Sequence, residues 1–197
     1  MAPRRRLARV GLLLAPGASA TSSQSALVAI DEATSALGAK VARMDFPYRL
    51  AGRRAPDREP VLLEAVRAEA AALAKRSRLR PDRLALGGRS MGGRICSMAV
   101  ADGLPALALV LVSYPLHPPG RPDRLRTDHF PALTVPCLFL SGTRDPFGSP
   151  AELEAATRAI PGPVTHVWLE GKRHGLEAAD ARVAAEVATW LVATVGS

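Results

Sequence analysis

Cysteines are too few in this sequence to build a disulfide framework. Cys96 and Cys137 are the only two, and neither lies in a CxxC pair or among residues with metal-ligand spacing. We therefore expect two reduced, buried thiols, no metal ion and no cofactor, as is typical of a cytoplasmic protein. Long apolar runs are lacking too. None approaches the roughly 20 residues of a membrane-spanning helix, so we expect no membrane partner.

Aromatic residues are also scarce. The chain has two tryptophans, two tyrosines and four phenylalanines, whereas 26 Lys and Arg residues against 18 Asp and Glu give a net charge of +8. A net positive charge favours binding to the phosphate groups of nucleic acid. However, the arginines are scattered along the chain rather than clustered, and few rings are available to stack on bases. We therefore expect no nucleic-acid partner. If the arginines did bind nucleic acid, the protein would be retained on DNA at low salt and released as the salt concentration rises.

Length and hydrophobic patterning predict a single α/β domain over residues 1–197. With 197 residues, 48% of them hydrophobic, the chain can bury one substantial core and has little material for a second. Short runs rich in Val, Leu and Ile recur between Ala-rich segments of helical period, which is typical of a mostly parallel sheet with helices on both faces. We expect about six strands, near residues 8–14, 40–45, 83–87, 106–113, 136–141 and 164–169.

Some of the intervening segments have clear signals. Residues 60–76 carry an apolar stripe of helical period, and Ser149 precedes a proline and a capping-box glutamate that begin another helix. Residues 183, 187 and 191 are apolar and give the closing helix a buried stripe. The proline-rich connection 113–136 is long for a compact domain, and we expect it to form one wall of a pocket.

The strongest signal for chemistry is GRSMG, residues 88–92, between a predicted strand and a helix. It fits G-x-S-x-G, the nucleophile elbow, in which Ser90 would occupy a strained turn with its hydroxyl above the sheet. Gly88 and Gly92 fit this interpretation because side chains there would collide with the neighbouring strand and helix. The alternative is a glycine-rich turn without chemistry, or a phosphate-binding loop.

A serine hydroxyl becomes a good nucleophile only beside a histidine base that a carboxylate orients. Asp145 follows the fifth predicted strand and His174 follows the sixth, so both lie with Ser90 at the carboxyl ends of parallel strands. Asp145 also precedes Pro146, and its alternative role is to begin a turn. The other candidate carboxylates and imidazoles lie inside the long connection or within a strand: Asp123, Asp128, His117, His129 and His166.

Six stretches between residues 12 and 175 resemble the α/β-hydrolase superfamily. They are LLLAPGAS, MDFPY, GGRSMGGR, VSYPLHPPG, LSGTRDPFG and GKRHG. The chain is similar to its small lid-less group, which includes dienelactone-hydrolase-like proteins and the testis-expressed-thirty-like domain. The resemblance implies an α/β-hydrolase fold without a cap domain and a catalytic triad of Ser90, Asp145 and His174. Dienelactone hydrolases proper have cysteine at the nucleophile position, so their lactone substrate is not implied.

The segment LARVGLLLAPGASA, residues 7–20, has two interpretations. After the basic MAPRRR start, its apolar run and small-residue end are those of a secretory signal peptide. In the resembling fold it is instead the first strand, followed by a loop that gives one backbone N–H to the oxyanion hole. Ala18 and Met91 are then the two donors. We favour this interpretation because cleavage after Ala20 would remove a strand and half of the oxyanion hole.

An arginine immediately precedes each member of the proposed triad: Arg89, Arg144 and Arg173. Such residues would contact an acidic substrate if they faced the pocket. The alternative is chance, since arginine is abundant in this chain.

The sequence as a whole predicts a serine hydrolase that cleaves small acyl esters or thioesters through an acyl-enzyme intermediate. The alternative is a catalytically silent scaffold of the same fold that binds a protein partner, because a fold does not determine a function.

Overall fold

Six parallel strands form one sheet in the part of the chain that the computed structural model describes, residues 6–195. Their spatial order is β2-β1-β3-β4-β5-β6. The six predicted strands are confirmed, with these bounds: β1 Gly11–Ala15, β2 Lys40–Arg43, β3 Leu84–Arg89, β4 Ala108–Val112, β5 Cys137–Gly142 and β6 Val164–Leu169. Residues 1–5 and 196–197, which include most of the basic start and both ends of the predicted domain, lie outside the described residues.

Residues 11–15 form a strand near the centre of this sheet. Strand β1 pairs with β2 on one side and with β3 on the other, and its five residues are all buried. The interpretation of this segment as the first strand of the fold is therefore confirmed.

Alternate residues of the buried strands point into two separate cores. Leu13 of β1 packs into the core that receives α3 and α4, whereas Leu12 and Leu14 pack into the core that receives α1 and α6. This two-sided burial explains why the strands are apolar throughout rather than alternating. The helix bounds are α1 Ser25–Ala36, α2 Pro47–Leu50, α3 Glu59–Ser77, α4 Met91–Ala101, α5 Pro150–Thr157 and α6 Asp180–Val195.

The three helices with sequence signals form where they were predicted. Helix α3 covers the predicted 60–76 segment, and α5 begins with a complete capping box between Ser149 and Glu152. Helix α6 buries its apolar stripe at Val183, Val187 and Leu191. Helix α1 has no counterpart among the predicted helices. Its N-cap residue Gln24 makes no side-chain capping hydrogen bond, so the usual start signal is missing.

The long connection between β4 and β5 folds against the sheet without forming a cap domain. Its one helical turn in the described chain is a 3₁₀ turn, Phe130–Ala132. Tyr114 and Phe130 are buried, and the Tyr114 hydroxyl donates a hydrogen bond to the Arg126 carbonyl at 2.6 Å. These contacts fix the connection along the carboxyl edge of the sheet. None of the helices described is both long and apolar enough to cross a membrane.

Candidate active site

Ser90 occupies a strained turn between β3 and α4. Its φ of 52° and ψ of −120° lie in a region that side chains other than glycine rarely adopt. The Ser90 backbone N–H donates to the Val112 carbonyl at the end of β4, at 2.9 Å, which anchors the turn to the neighbouring strand. Because the chain reverses direction here, the side chain rises above the carboxyl edge of the sheet, as in a nucleophile elbow.

Two glycines make this turn possible because strand β1 passes very close to it. A Cβ at Gly88, whose φ is +150°, would lie 2.0 Å from the Ala15 carbonyl oxygen. A Cβ at Gly92 would lie 2.2 Å from the same oxygen. Any side chain at either position would therefore push β1 away from the elbow. This agrees with the collision that the sequence predicts.

His174 and Asp145 lie beside Ser90 although they are distant from it in the sequence. His174 Nε2 is 2.9 Å from Ser90 Oγ, and His174 Nδ1 is 2.8 Å from Asp145 Oδ2. The Asp145 side chain is 1% exposed, whereas the His174 side chain is 20% exposed. The ionised carboxylate only accepts hydrogen bonds, so Nδ1 donates to it and Nε2 is left to accept the Ser90 proton. This arrangement can activate the hydroxyl as a nucleophile.

Phe147 supports both the carboxylate and the imidazole. Its backbone N–H donates to Asp145 Oδ1 at 2.9 Å, which occupies the oxygen that is farther from the imidazole. Its ring centroid lies 4.1 Å from that of His174, so the aromatic face limits rotation of the imidazole. The short turn after β5 thus orients two of the three side chains.

The three arginines that precede these residues lie in different environments. Arg89 lines the cavity beside Ser90, and its guanidinium also donates to the His174 backbone carbonyl at 2.5 Å. Burial lowers the Arg89 pKa, while nearby Glu177, Asp180 and Asp145 oppose that change. Arg144 and Arg173 are exposed and lie outside the cavity lining, so the structure does not bring them to the site.

The loop after β1 approaches Ser90 from the opposite side. A Cβ at Gly17 would lie 3.8 Å from the Ser90 Cβ, so this loop passes close to the elbow. The Gly17 N–H donates to Gln24 Oε1 at 3.2 Å. The Tyr48 hydroxyl donates to the Ala18 carbonyl at 2.6 Å and holds that peptide in place. The N–H groups of Ala18 and Met91 make no hydrogen bond within residues 6–195, and both residues line the cavity. Two backbone donors are therefore free to receive a ligand.

A cavity of about 540 Å³ lies over Ser90 and His174, within the size range of small-ligand pockets. Pro115 and Arg126 of the long connection line it, so the prediction that this connection forms a pocket wall is confirmed. Arg94 also lines the cavity. No local pattern in the sequence distinguishes Arg126 from the other arginines of the connection. Arg94 lies one helical turn after Ser90, and that spacing was the available signal.

The competing histidines bond elsewhere. His129 Nε2 lies 2.8 Å from Ser97 Oγ, and burial, together with the neighbouring Arg94, lowers its pKa to about 4. His166 contacts the Thr157 hydroxyl at 3.1 Å, and His117 Nδ1 lies 2.9 Å from the Pro118 carbonyl. Asp123 and Asp128 are exposed on the long connection.

The two buried thiols lie outside the cavity lining. Burial raises the pKa of both Cys96 and Cys137 to about 12. Neither thiol is therefore a nucleophile near neutral pH.

A family model described as "Alpha/beta hydrolase domain" matches residues 8–191. The chain belongs to this alpha/beta hydrolase family. The match runs from just before β1 into α6, so it includes the elbow, the turn of Asp145 and the loop of His174.

Solved structures share the fold of this hydrolase domain. An alpha-beta serine hydrolase homologue from Coxiella burnetii is 19% identical, with 93% of this chain and 85% of that chain covered and a TM-score of 0.75. A dienelactone hydrolase from Anabaena variabilis is 20% identical, with coverages of 95% and 87% and a TM-score of 0.75. A serine hydrolase without a lid from Xanthomonas campestris is 17% identical, with coverages of 91% and 80% and a TM-score of 0.71. At these identities the likeness concerns the fold.

Proposed function

We propose that this hydrolase is a serine enzyme that cleaves small acyl esters or thioesters through an acyl-enzyme intermediate. Ser90 is the nucleophile, His174 the general base and Asp145 the residue that orients and stabilises the imidazole. The observation that carries the proposal is the pair of hydrogen bonds that links the three side chains, at 2.9 and 2.8 Å, beneath one cavity. Hydroxyl, imidazole and carboxylate in this order form the arrangement that acyl transfer requires.

Acylation begins when His174 Nε2 takes the proton from Ser90 Oγ. The oxygen then forms a bond to the carbonyl carbon of the substrate, and the negative charge moves to the carbonyl oxygen. The N–H groups of Ala18 and Met91 stabilise this oxyanion, because they lie in the cavity and have no partner in the described chain. The tetrahedral intermediate collapses, and the leaving alcohol or thiol takes the proton from the imidazolium.

Deacylation repeats these steps with water. His174 takes a proton from the water molecule, hydroxide adds to the acyl carbon, and Ser90 leaves as the protonated hydroxyl. The carboxylic acid is released and the enzyme returns to its starting state. Asp145 remains ionised throughout and stabilises the imidazolium in both halves of the reaction.

The size and openness of the site support small acyl substrates. The cavity is about 540 Å³, and the connection that borders it is a loop rather than a cap domain. Efficient turnover of long-chain lipid emulsions would contradict this substrate class.

A screen of short acyl esters and thioesters tests the proposal. We expect turnover by the wild-type protein and its loss in Ser90→Ala. Ser97→Ala is the matched control, because Ser97 also lies within hydrogen-bond distance of a histidine but is fully buried and outside the cavity lining. Turnover that survives unchanged in Ser90→Ala would overturn the proposal. A properly folded protein that cleaves none of the substrates and does not react with acylating reagents would favour the scaffold interpretation.

A further inference from the structure

The lining of the cavity over Ser90 holds more positive than negative charge. Arg89, Arg94 and Arg126 line it, and no Asp or Glu of the described chain is part of the lining. Arg89 has acidic residues behind it, since Glu177, Asp180 and Asp145 lie near its guanidinium. Arg94 and Arg126 are therefore the two lining cations with the least compensating negative charge.

Arg94 is only partly compensated. Its Nη2 lies 2.9 Å from Glu59 Oε2, but the Glu59 side chain is 44% exposed, and water weakens such a pair. The Arg94 Nε is buried and has no hydrogen-bond partner within the described chain. A buried donor without a partner costs free energy that a ligand acceptor can recover.

Arg126 has no carboxylate within ion-pair distance in residues 6–195. The one acceptor that its guanidinium reaches is the Pro115 carbonyl, at a weak 3.4 Å. Its backbone is held firmly, because its N–H donates to the Leu116 carbonyl and its own carbonyl accepts from Tyr114. Burial and the positive charge of Arg94 lower the pKa of Arg126, so the two guanidinium groups are close enough to repel each other.

From this charge distribution we propose that the hydrolase selects substrates that carry a carboxylate or phosphate group, bound by Arg94 and Arg126 while the scissile carbonyl lies on Ser90. An anion between two guanidinium groups removes their repulsion and accepts charge-assisted hydrogen bonds from both. The Arg94 backbone N–H donates to the Ser90 carbonyl, so the two residues lie one helical turn apart on the same face, and both line the cavity. We therefore expect a short ligand to reach both side chains. This inference rests on the proposed function of Ser90 and deepens it.

A matched ester pair tests the proposal: monoethyl glutarate against ethyl pentanoate, which differ by a terminal carboxylate in place of a methyl group. We expect the wild-type protein to prefer the acidic ester about tenfold in kcat/KM, the ratio that about 1.4 kcal/mol of binding provides. Arg126→Gln and Arg94→Gln should each reduce that ratio towards one. Arg121→Gln is the control, because Arg121 is exposed on the same connection and lies outside the cavity lining.

The outcomes separate this proposal from the function on which it rests. Turnover of both esters that depends on Ser90 but shows no preference for the acidic one overturns the selectivity and leaves the hydrolase function intact. If neither ethyl ester is cleaved, binding of monoethyl glutarate to the Ser90→Ala variant tests the selectivity instead. Calorimetry should then show weaker binding by the Ser90→Ala/Arg126→Gln double variant, and equal or absent binding in both proteins overturns the proposal.

Discussion

The guanidinium of Arg89 donates a hydrogen bond to the backbone carbonyl of His174 at 2.5 Å, across 85 positions of sequence. The residue immediately before Ser90 therefore holds the loop that carries the imidazole. We therefore expect the distance between Ser90 Oγ and His174 Nε2 to depend on this contact as well as on the fold of the sheet. Arg89 is in our account a positioning residue, because it acts through His174 as well as lining the cavity.

Replacement of Arg89 by methionine should lower kcat about tenfold and change KM of a neutral ester little. The apolar side chain keeps the buried volume but cannot hold the His174 carbonyl, so the imidazole is misplaced in the transition state. Steady-state kinetics measure the split between kcat and KM. Arg89→Lys should restore part of kcat because the ammonium can also donate.

Arg144→Met provides the control for this prediction. Arg144 precedes Asp145 in the same way but is exposed and outside the cavity, so kcat should not change. A lower urea midpoint for Arg89→Met with an unchanged kcat would mean that Arg89 contributes to stability alone.

Gly88→Ala should destabilise the fold by about 3 kcal/mol, a large effect for one methyl group. The added Cβ would lie 2.0 Å from the Ala15 carbonyl oxygen, and neither backbone can move without breaking the pairing of β1 with β3. Urea denaturation measures the change in the free energy of unfolding.

Comparison with Gly103→Ala separates the effect of this collision from the effect of a positive φ alone. Gly103 also has a positive φ, +85°, but its Cβ would meet nothing within 4 Å. It should cost only about 1 kcal/mol. Equal effects of the two substitutions would show that β1 does not restrict the elbow.

Asp145→Asn should lower kcat/KM by about 10³- to 10⁴-fold while the protein stays folded. The amide oxygen can still accept from the Phe147 N–H, but an amide group cannot stabilise the imidazolium. Asp128→Asn, on the exposed connection, should have no effect on kcat/KM. A loss of less than tenfold in Asp145→Asn would assign the orienting role to another residue.

Stability should fall as the pH falls from about 6.5 to about 4, in part because of His129. Its pKa in the folded protein is about 4, whereas an unfolded histidine titrates near 6.5. Between these values the unfolded chain binds a proton that the folded protein does not, so stability present above pH 6.5 is lost in this window. The group is partly solvated, so we expect a contribution on the order of 1 to 2 kcal/mol.

The variant His129→Gln separates the contribution of His129 from that of the carboxylates, which also titrate in this pH range. The amide can keep a hydrogen bond to Ser97 but does not titrate. Urea denaturation at pH 7 and pH 4.5 should show a larger loss of stability in the wild-type protein than in the variant. Equal losses would mean that His129 is protonated in the folded state.

Much of the fold follows from the sequence because burial on both faces leaves uninterrupted apolar runs. The four inner strands have this signal, whereas the edge strands β2 and β6 are only partly buried and carry polar residues. The approach of Ser90, Asp145 and His174 follows from the convergence of parallel strand ends at one edge. Helix α1 was not predicted, because its N-cap side chain makes no capping hydrogen bond and its first turn holds no acidic residue.

The residues that line the cavity could not be predicted, because long-range contacts rather than local sequence patterns bring them together. Arg126 reaches the site because the Tyr114 hydroxyl and the Leu116 carbonyl fold the long connection back on itself. Arg144 and Arg173 flank the proposed triad in sequence, yet successive residues of a turn point in different directions, and these two point to solvent. Adjacency in sequence was therefore a poor guide to the lining of the cavity.

Covalent labelling with a fluorophosphonate, followed by intact-mass and peptide mass spectrometry, tests the central claim most directly. The account predicts one adduct, on Ser90, absent in Ser90→Ala, much slower in His174→Ala and undiminished in Ser97→Ala. Failure of the folded wild-type protein to react, or an adduct of equal yield in Ser90→Ala, would contradict it.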